Sequence, residues 1–124
     1  DGGIADPIPY KRALKAGCDK LVVILTRPKN DFRLPKDDLR IYRLLKRSYP
    51  NTAEVFKKRA DRYNKCLKEI LKLEKENKLL IIAPRSIGRL KTLSQDHAQL
   101  DKLYHMGLED AEYLVANKSF LYDR

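Results

Sequence analysis

Two short apolar runs, separated by a long stretch of helical periodicity, set the pattern of this chain. Leu21-Val22-Val23-Ile24-Leu25 is apolar without alternation and β-branched at its centre, which predicts a strand covered on both faces, as in a parallel sheet. Leu79-Leu80-Ile81-Ile82-Ala83, closed by Pro84, repeats that signature. Between the two runs, residues 36–48 place Leu39, Tyr42 and Leu45, joined by Ile41 and Leu44, on the broad apolar face of a helix. Pro50 interrupts the pattern, and Asn51 or Thr52 is placed to cap a longer helix that extends to about Asn77. Along it Phe56, Ala60, Tyr63, Leu67, Ile70 and Glu74 follow the three-and-four spacing.

The flanks are shorter elements. Asp6-Pro7-Ile8-Pro9 holds the backbone extended, because each proline turns the residue before it away from the α region. Residues 10–16 predict about two turns of helix, with Gly17 as a left-handed terminator. After the second run, residues 86–92 read as loop and Ser94 as the cap of a helix starting at Gln95 or Asp96. Leu100, Leu103, Tyr104 and Met106 are its expected buried face, and Gly107 permits a break before a further amphipathic stretch over 108–117. Residues 118–124 read as an anchored tail or the start of disorder. Two strands connected through helices suit one parallel sheet, yet a sheet buried on both faces normally has about four strands or more. Strands from a dimer partner or from upstream sequence are therefore expected at its other edges.

Charge and cysteine usage narrow the picture. The 124 residues are 43% hydrophobic and 35% charged, a globular composition, and no apolar stretch approaches the length of a membrane span. Nor do the first residues have the pattern of a signal peptide. Cys18 and Cys66 lie among apolar neighbours with no C-x-x-C spacing, as expected of reduced core thiols. The net charge of +10 is uneven: residues 31–78 carry +7 of it and residues 96–124 carry −3. A solvated helix face explains the excess most simply. An anionic membrane surface comes next, and nucleic acid is the weakest of the three readings.

Candidate chemistry is sparse. Ser48, Ser86, Ser94 and Ser119 lack the G-x-S-x-G elbow of an exposed nucleophile. His97 and His105 stand eight residues apart without third and fourth ligands nearby, so no metal site is expected, and the glycines form no phosphate-cradling loop. Asp1-Gly2-Gly3 is the exception in kind: a carboxylate followed by two glycines, read as a turn leading toward an α/β sheet, where catalytic groups commonly gather. Asp-Gly is also among the commonest ordinary turn pairs.

Asp1-Gly2-Gly3, followed by Asp6, Pro9 and the segment ending in Val22-Val23-Ile24-Leu25-Thr26-Arg27-Pro28, resembles the patatin-like phospholipase family. The likeness extends through the long helix after Pro50, Leu80-Ile81-Ile82-Ala83-Pro84 and the run from Leu100 to Ala111. It is similar in particular to bacterial members with a helical extension after the catalytic domain. The resemblance implies an α/β fold, the downstream part of a three-layer α/β/α domain, with residues 1–35 in the catalytic domain and residues 36–124 a mostly helical extension containing one short strand. It implies a serine and aspartate pair without a catalytic histidine. Asp1 matches the dyad aspartate, and Gly2 and Gly3 the turn that presents it. Asp6 departs from the asparagine of many members. The family's serine elbow and oxyanion loop precede its D-G-G motif and are absent from this sequence.

The expected function is therefore that of the C-terminal part of an enzyme cleaving lipid or other carboxylic esters, inactive without its upstream part. No cofactor is expected, and the location would be cytoplasmic or peripheral at an anionic membrane. The alternative is a basic helical module, residues 36–78, binding nucleic acid or an acidic partner.

Overall fold

The computed structural model describes residues 2–90, 94–116 and 119, which form six helices and a two-stranded parallel sheet. In chain order these are α1 (Gly2–Ala5), α2 (Tyr10–Lys15), β1 (Leu21–Ile24), α3 (Lys36–Leu45), α4 (Pro50–Lys57), α5 (Arg59–Lys75), β2 (Leu79–Ile82) and α6 (His97–Ala116). They divide into two compact units that interleave along the chain, Asp1–Cys18 with Phe32–Lys72, and Asp19–Asp31 with Leu73–Arg124.

In the first unit, α2 closes as the sequence predicts. Gly17 has φ of +92°, its N–H reaches Leu14 O at 3.1 Å and the Cys18 N–H reaches Ala13 O at 3.2 Å. Together these make a Schellman closure that satisfies two carbonyls left open at the helix end. α3 stops at Leu45, three residues before the predicted end, and the chain turns directly into α4 through Tyr49 N–H to Leu45 O at 2.8 Å and Ala53 N–H to Tyr49 O at 2.9 Å. Pro50 starts α4 and does not break a helix, because the first helical position needs no N–H donor and favours the proline φ. Asn51 and Thr52 accordingly lie inside α4 and cap nothing. The expected single helix to Asn77 is two, since Lys58, at φ −95° and ψ 0°, leaves the helical run before α5 resumes at Arg59.

The core of this unit is the stripe Ala60, Tyr63, Leu67 and Ile70 of α5, with Ala53 of α4, Ile8 and Tyr10. The stripe repeats at three, four and three residues and so stays on one face of the helix. Ala53 is fully buried, and its short side chain lets α3 and α4 approach. Leu44 fails the expectation for α3: it is 80% exposed, turned away from the half-buried Leu39, Tyr42 and Leu45. Asn64 holds the entry to α3 by accepting from Arg33 N–H at 2.8 Å and donating to Arg33 O at 2.9 Å.

In the second unit the two apolar runs pair in parallel, Leu21 with Leu79 through Ile24 with Ile82, and Leu25 N–H extends the ladder to Ile82 O at 2.8 Å. Leu79 and Ile81 are buried on one face of β2. The expectation that β1 is covered on both faces does not hold among the described residues: Leu21, Val22 and Val23 are half-buried and Ile24 is 72% exposed. The end of α5 is tied to the sheet by Glu74, whose carboxylate accepts from Ile81 N–H at 3.0 Å and from Lys29 Nζ at 2.6 Å. Asn77, at φ +53°, then makes the same kind of closure as Gly17, with Asn77 N–H to Glu74 O at 3.0 Å and Lys78 N–H to Leu73 O at 2.9 Å.

α6 runs unbroken through Gly107, so the expected break there is absent; a glycine weakens a helix without interrupting it when the backbone bonds are intact. Its cap is Asp96, not Ser94: Asp96 Oδ1 accepts from Gln99 N–H at 3.1 Å and Oδ2 from Gln99 Nε2 at 2.6 Å. Ser94 lies two residues before the cap position, and the Asp96 charge also interacts favourably with the positive end of the helix dipole. No residue of α6 is buried; Leu100 and Tyr104 are exposed where a buried face was expected, and Leu103 and Met106 are half-buried. Thr92 and most of the predicted tail, 118 and 120–124, lie outside the described residues.

Candidate functional site

The motif that carries the sequence-level hypothesis begins with Asp1, which lies outside the described residues. Gly2 and Gly3, expected as an open turn, form the start of α1, closed by Asp6 N–H to Gly2 O at 2.8 Å. No atom stands within 4 Å of where a Cβ on Gly2 would lie, while Ile4 of the same turn is half-buried. The far end of α1 is held by Arg62 of α5, whose Nη1 donates to Ile4 O at 2.9 Å and Ala5 O at 3.2 Å. Those carbonyls form the partial negative end of the short helix, and the guanidinium satisfies both at once. The residue following Asp1 is thus the first of a turn anchored to α5.

Beside this anchor, α2 and α5 share a polar cluster that no short-range pattern foretold. The Tyr10 phenol donates to the Glu69 carboxylate, and Lys11 Nζ lies 2.7 Å from Glu69 Oε2. Burial, followed by the bond to Glu69, pushes the Tyr10 phenol up to about 12. The bonds from Lys11 and Tyr10 hold the Glu69 carboxyl below its usual range, and the same Glu69 raises Lys11. Burial, with Glu69 nearby, also pushes the half-buried Cys66 thiol up. The cluster therefore keeps a neutral phenol, a carboxylate and a protonated thiol. It can lock α2 to α5, but at neutral pH it offers neither a thiolate nor a phenolate as nucleophile.

The remaining candidates are dispersed. Cys18, expected in the core, is exposed beyond the end of α2, and both cysteines are free. Ser86 Oγ accepts from Gly88 N–H at 3.1 Å, a local turn bond. His97 and His105 are exposed on α6; His105 Nε2 lies 3.7 Å from Asp101 Oδ2, and its ring meets that of Tyr104 edge-on at 5.6 Å. Among the described residues no group of three or more His, Cys, Asp or Glu is arranged to hold a metal ion. No described helix is long and apolar enough to cross a membrane.

Asp38 was hidden in the sequence as one of two adjacent acids at a helix start. Asp37 stays in solvent, whereas Asp38 is buried and pairs with Arg59 Nη1 at 3.2 Å. Only the rotation of α3 against its neighbours distinguishes the two.

Comparison with known families adds one decisive finding. A family described as a domain of unknown function, DUF6363, matches residues 49–120, more than half of the chain. The chain belongs to the DUF6363 family. The match opens at Tyr49, the residue preceding α4, and takes in α4, α5, β2 and α6. Neither a curated protein nor a solved structure matches the chain. Asp1-Gly2-Gly3, α1 to α3 and β1 stand outside the DUF6363 segment, while Arg62 and Glu69, which grip α1 and α2, stand inside it.

Proposed function

We propose that this chain is the downstream part of a patatin-like acyl hydrolase, in which Asp1 pairs with a serine supplied by upstream sequence and the DUF6363 segment supports the turn that follows Asp1. The observation that carries the reading is the parallel sheet of two apolar strands. Two near-continuously apolar strands, with Ile24 left 72% exposed, fit a larger sheet whose faces further layers would cover, since parallel sheets are ordinarily covered on both faces. In this reading the added strands complete a three-layer α/β/α domain, to which residues 1–35 belong.

The chemistry follows from the dyad. The serine hydroxyl attacks the carbonyl carbon of a lipid or other carboxylic ester, and Asp1 accepts or orients its proton. Backbone donors of the upstream part stabilise the oxyanion, the alcohol leaves, and water releases the acid from the acyl-serine. No cofactor enters these steps. Arg62 acts as a positioning residue, since it bonds the carbonyl end of α1 while Asp1 precedes the other end.

The test is made in the longer protein. A fluorophosphonate probe should label one serine there, and Asp1→Asn should lower hydrolysis of a p-nitrophenyl ester by about 10³-fold or more without changing the melting temperature. The 124-residue chain should neither be labelled nor turn over. An unlabelled parent, or unchanged hydrolysis by Asp1→Asn, would remove the proposal.

A further inference from the structure

We infer that the outward face of α3, with the segment leading into it, docks on the surface of an anionic lipid bilayer. This inference stands apart from the acyl-hydrolase reading, since it uses neither Asp1 nor a missing serine.

Three observations lie together in the first unit. Lys36, Arg40 and Arg43, at i, i+4 and i+7, are all exposed on one side of α3, and Lys46 and Arg47 continue the positive charge beyond its end. The two acids of the helix do little to oppose them. Asp38 is buried against Arg59, and Asp37 is a largely solvated partner 3.7 Å from Arg40. Among these cations stand two aliphatic side chains that folding leaves in water, Leu34 at 78% and Leu44 at 80% exposure. Finally, Leu34, Pro35, Lys36, Leu39, Arg40 and Arg43 line an open groove of about 510 Å³ whose wall is nearly all carbon.

Cations around a carbon-lined groove match a surface that has anionic headgroups over acyl chains. Lysine and arginine stems bury along the apolar boundary while their charges stay with the headgroups, and leucine enters the acyl region. A nucleic-acid backbone would engage the cations equally but gains nothing from Leu34 and Leu44. The half-buried Tyr42, the aromatic of α3 that would stack on a base, is already covered by Lys57 Nζ at 5.3 Å from its ring.

The experiment is co-sedimentation of the full 124-residue chain with vesicles of phosphatidylcholine containing phosphatidylserine, beside pure phosphatidylcholine vesicles and a duplex oligonucleotide. The chain should pellet with the anionic vesicles, weaken as salt rises, and stay in solution with the neutral ones. Each basic residue near such a surface contributes a factor of about five, so Arg40→Glu with Arg43→Glu should lower partitioning at least about 25-fold. Leu34→Ser with Leu44→Ser should lower it about tenfold at unchanged net charge. The charge-matched control Lys75→Glu with Lys102→Glu, on α5 and α6, should lower it far less. Equal loss in the control, full binding by the leucine variant, or binding of the oligonucleotide without binding of the vesicles would each overturn the inference.

Discussion

Leu67 is, with Ile70, among the largest fully buried side chains of the first unit. It has no exposed surface and sits midway along the stripe of Ala60, Tyr63 and Ile70 on α5. Leu67→Ala removes three carbons from a site that closes incompletely, and such truncations cost about 2–5 kcal/mol from lost transfer energy and the cavity left behind. A value of about 3 kcal/mol is a large share of the roughly 5–15 kcal/mol that stabilises a small domain. At about 4–8 °C per kcal/mol, the melting temperature should fall by about 12–24 °C. Thermal melts followed by circular dichroism at 222 nm, with urea titration to confirm an unchanged slope, read this directly. Leu44→Ala is the paired control: at 80% exposure it should change stability by no more than about 0.5 kcal/mol. A Leu67→Ala protein melting within a few degrees of the parent, or a Leu44→Ala protein losing as much, would refute the assignment of the core to this stripe.

Other consequences are as specific. Gly17→Ala forces a side chain into φ +92° with nothing crowding it, so it should destabilise by about 1–2 kcal/mol; Gly107→Ala, inside an unbroken helix with open space around it, should stabilise by about 0.5–1 kcal/mol, both read from denaturant midpoints. Tyr10 links stability to alkaline pH: its folded value of about 12 lies above the 10.0 of a free phenol, so its contribution is complete below pH 10 and is lost as pH rises through 12. Absorbance at 295 nm should show a component titrating near pH 12 that Tyr10→Phe abolishes. Asp96→Ala should speed hydrogen exchange of the Gln99 amide, whereas Ser94→Ala should leave it unchanged, since Asp96 carries the cap.

What the sequence determined by itself was local. Near-continuous apolarity specified both strands, three-and-four spacing specified the buried stripe of α5, and Gly17 and Asn77 marked helix ends, because each effect acts within a few residues through backbone conformation or the pattern of burial. Pro50 shows the limit of that reasoning: proline is compatible with a helix start as well as a break, and only the turn from Leu45 through Tyr49 selects the start.

Tertiary structure decided everything that depends on which groups meet across long separations. Tyr10 and Glu69 are 59 positions apart and Arg62 and Ile4 58, so nothing in either neighbourhood announces the bonds that hold α1 and α2 to α5. Asp37 and Asp38 are indistinguishable as adjacent acids until the packing of α3 turns one toward Arg59 and leaves the other beside Arg40. The same rotation leaves Leu44 in water among cations, and it turned an expected core position into part of the surface from which a lipid partner is inferred. Helical period fixes which residues share a face, but only the neighbours a helix packs against decide which face is inside.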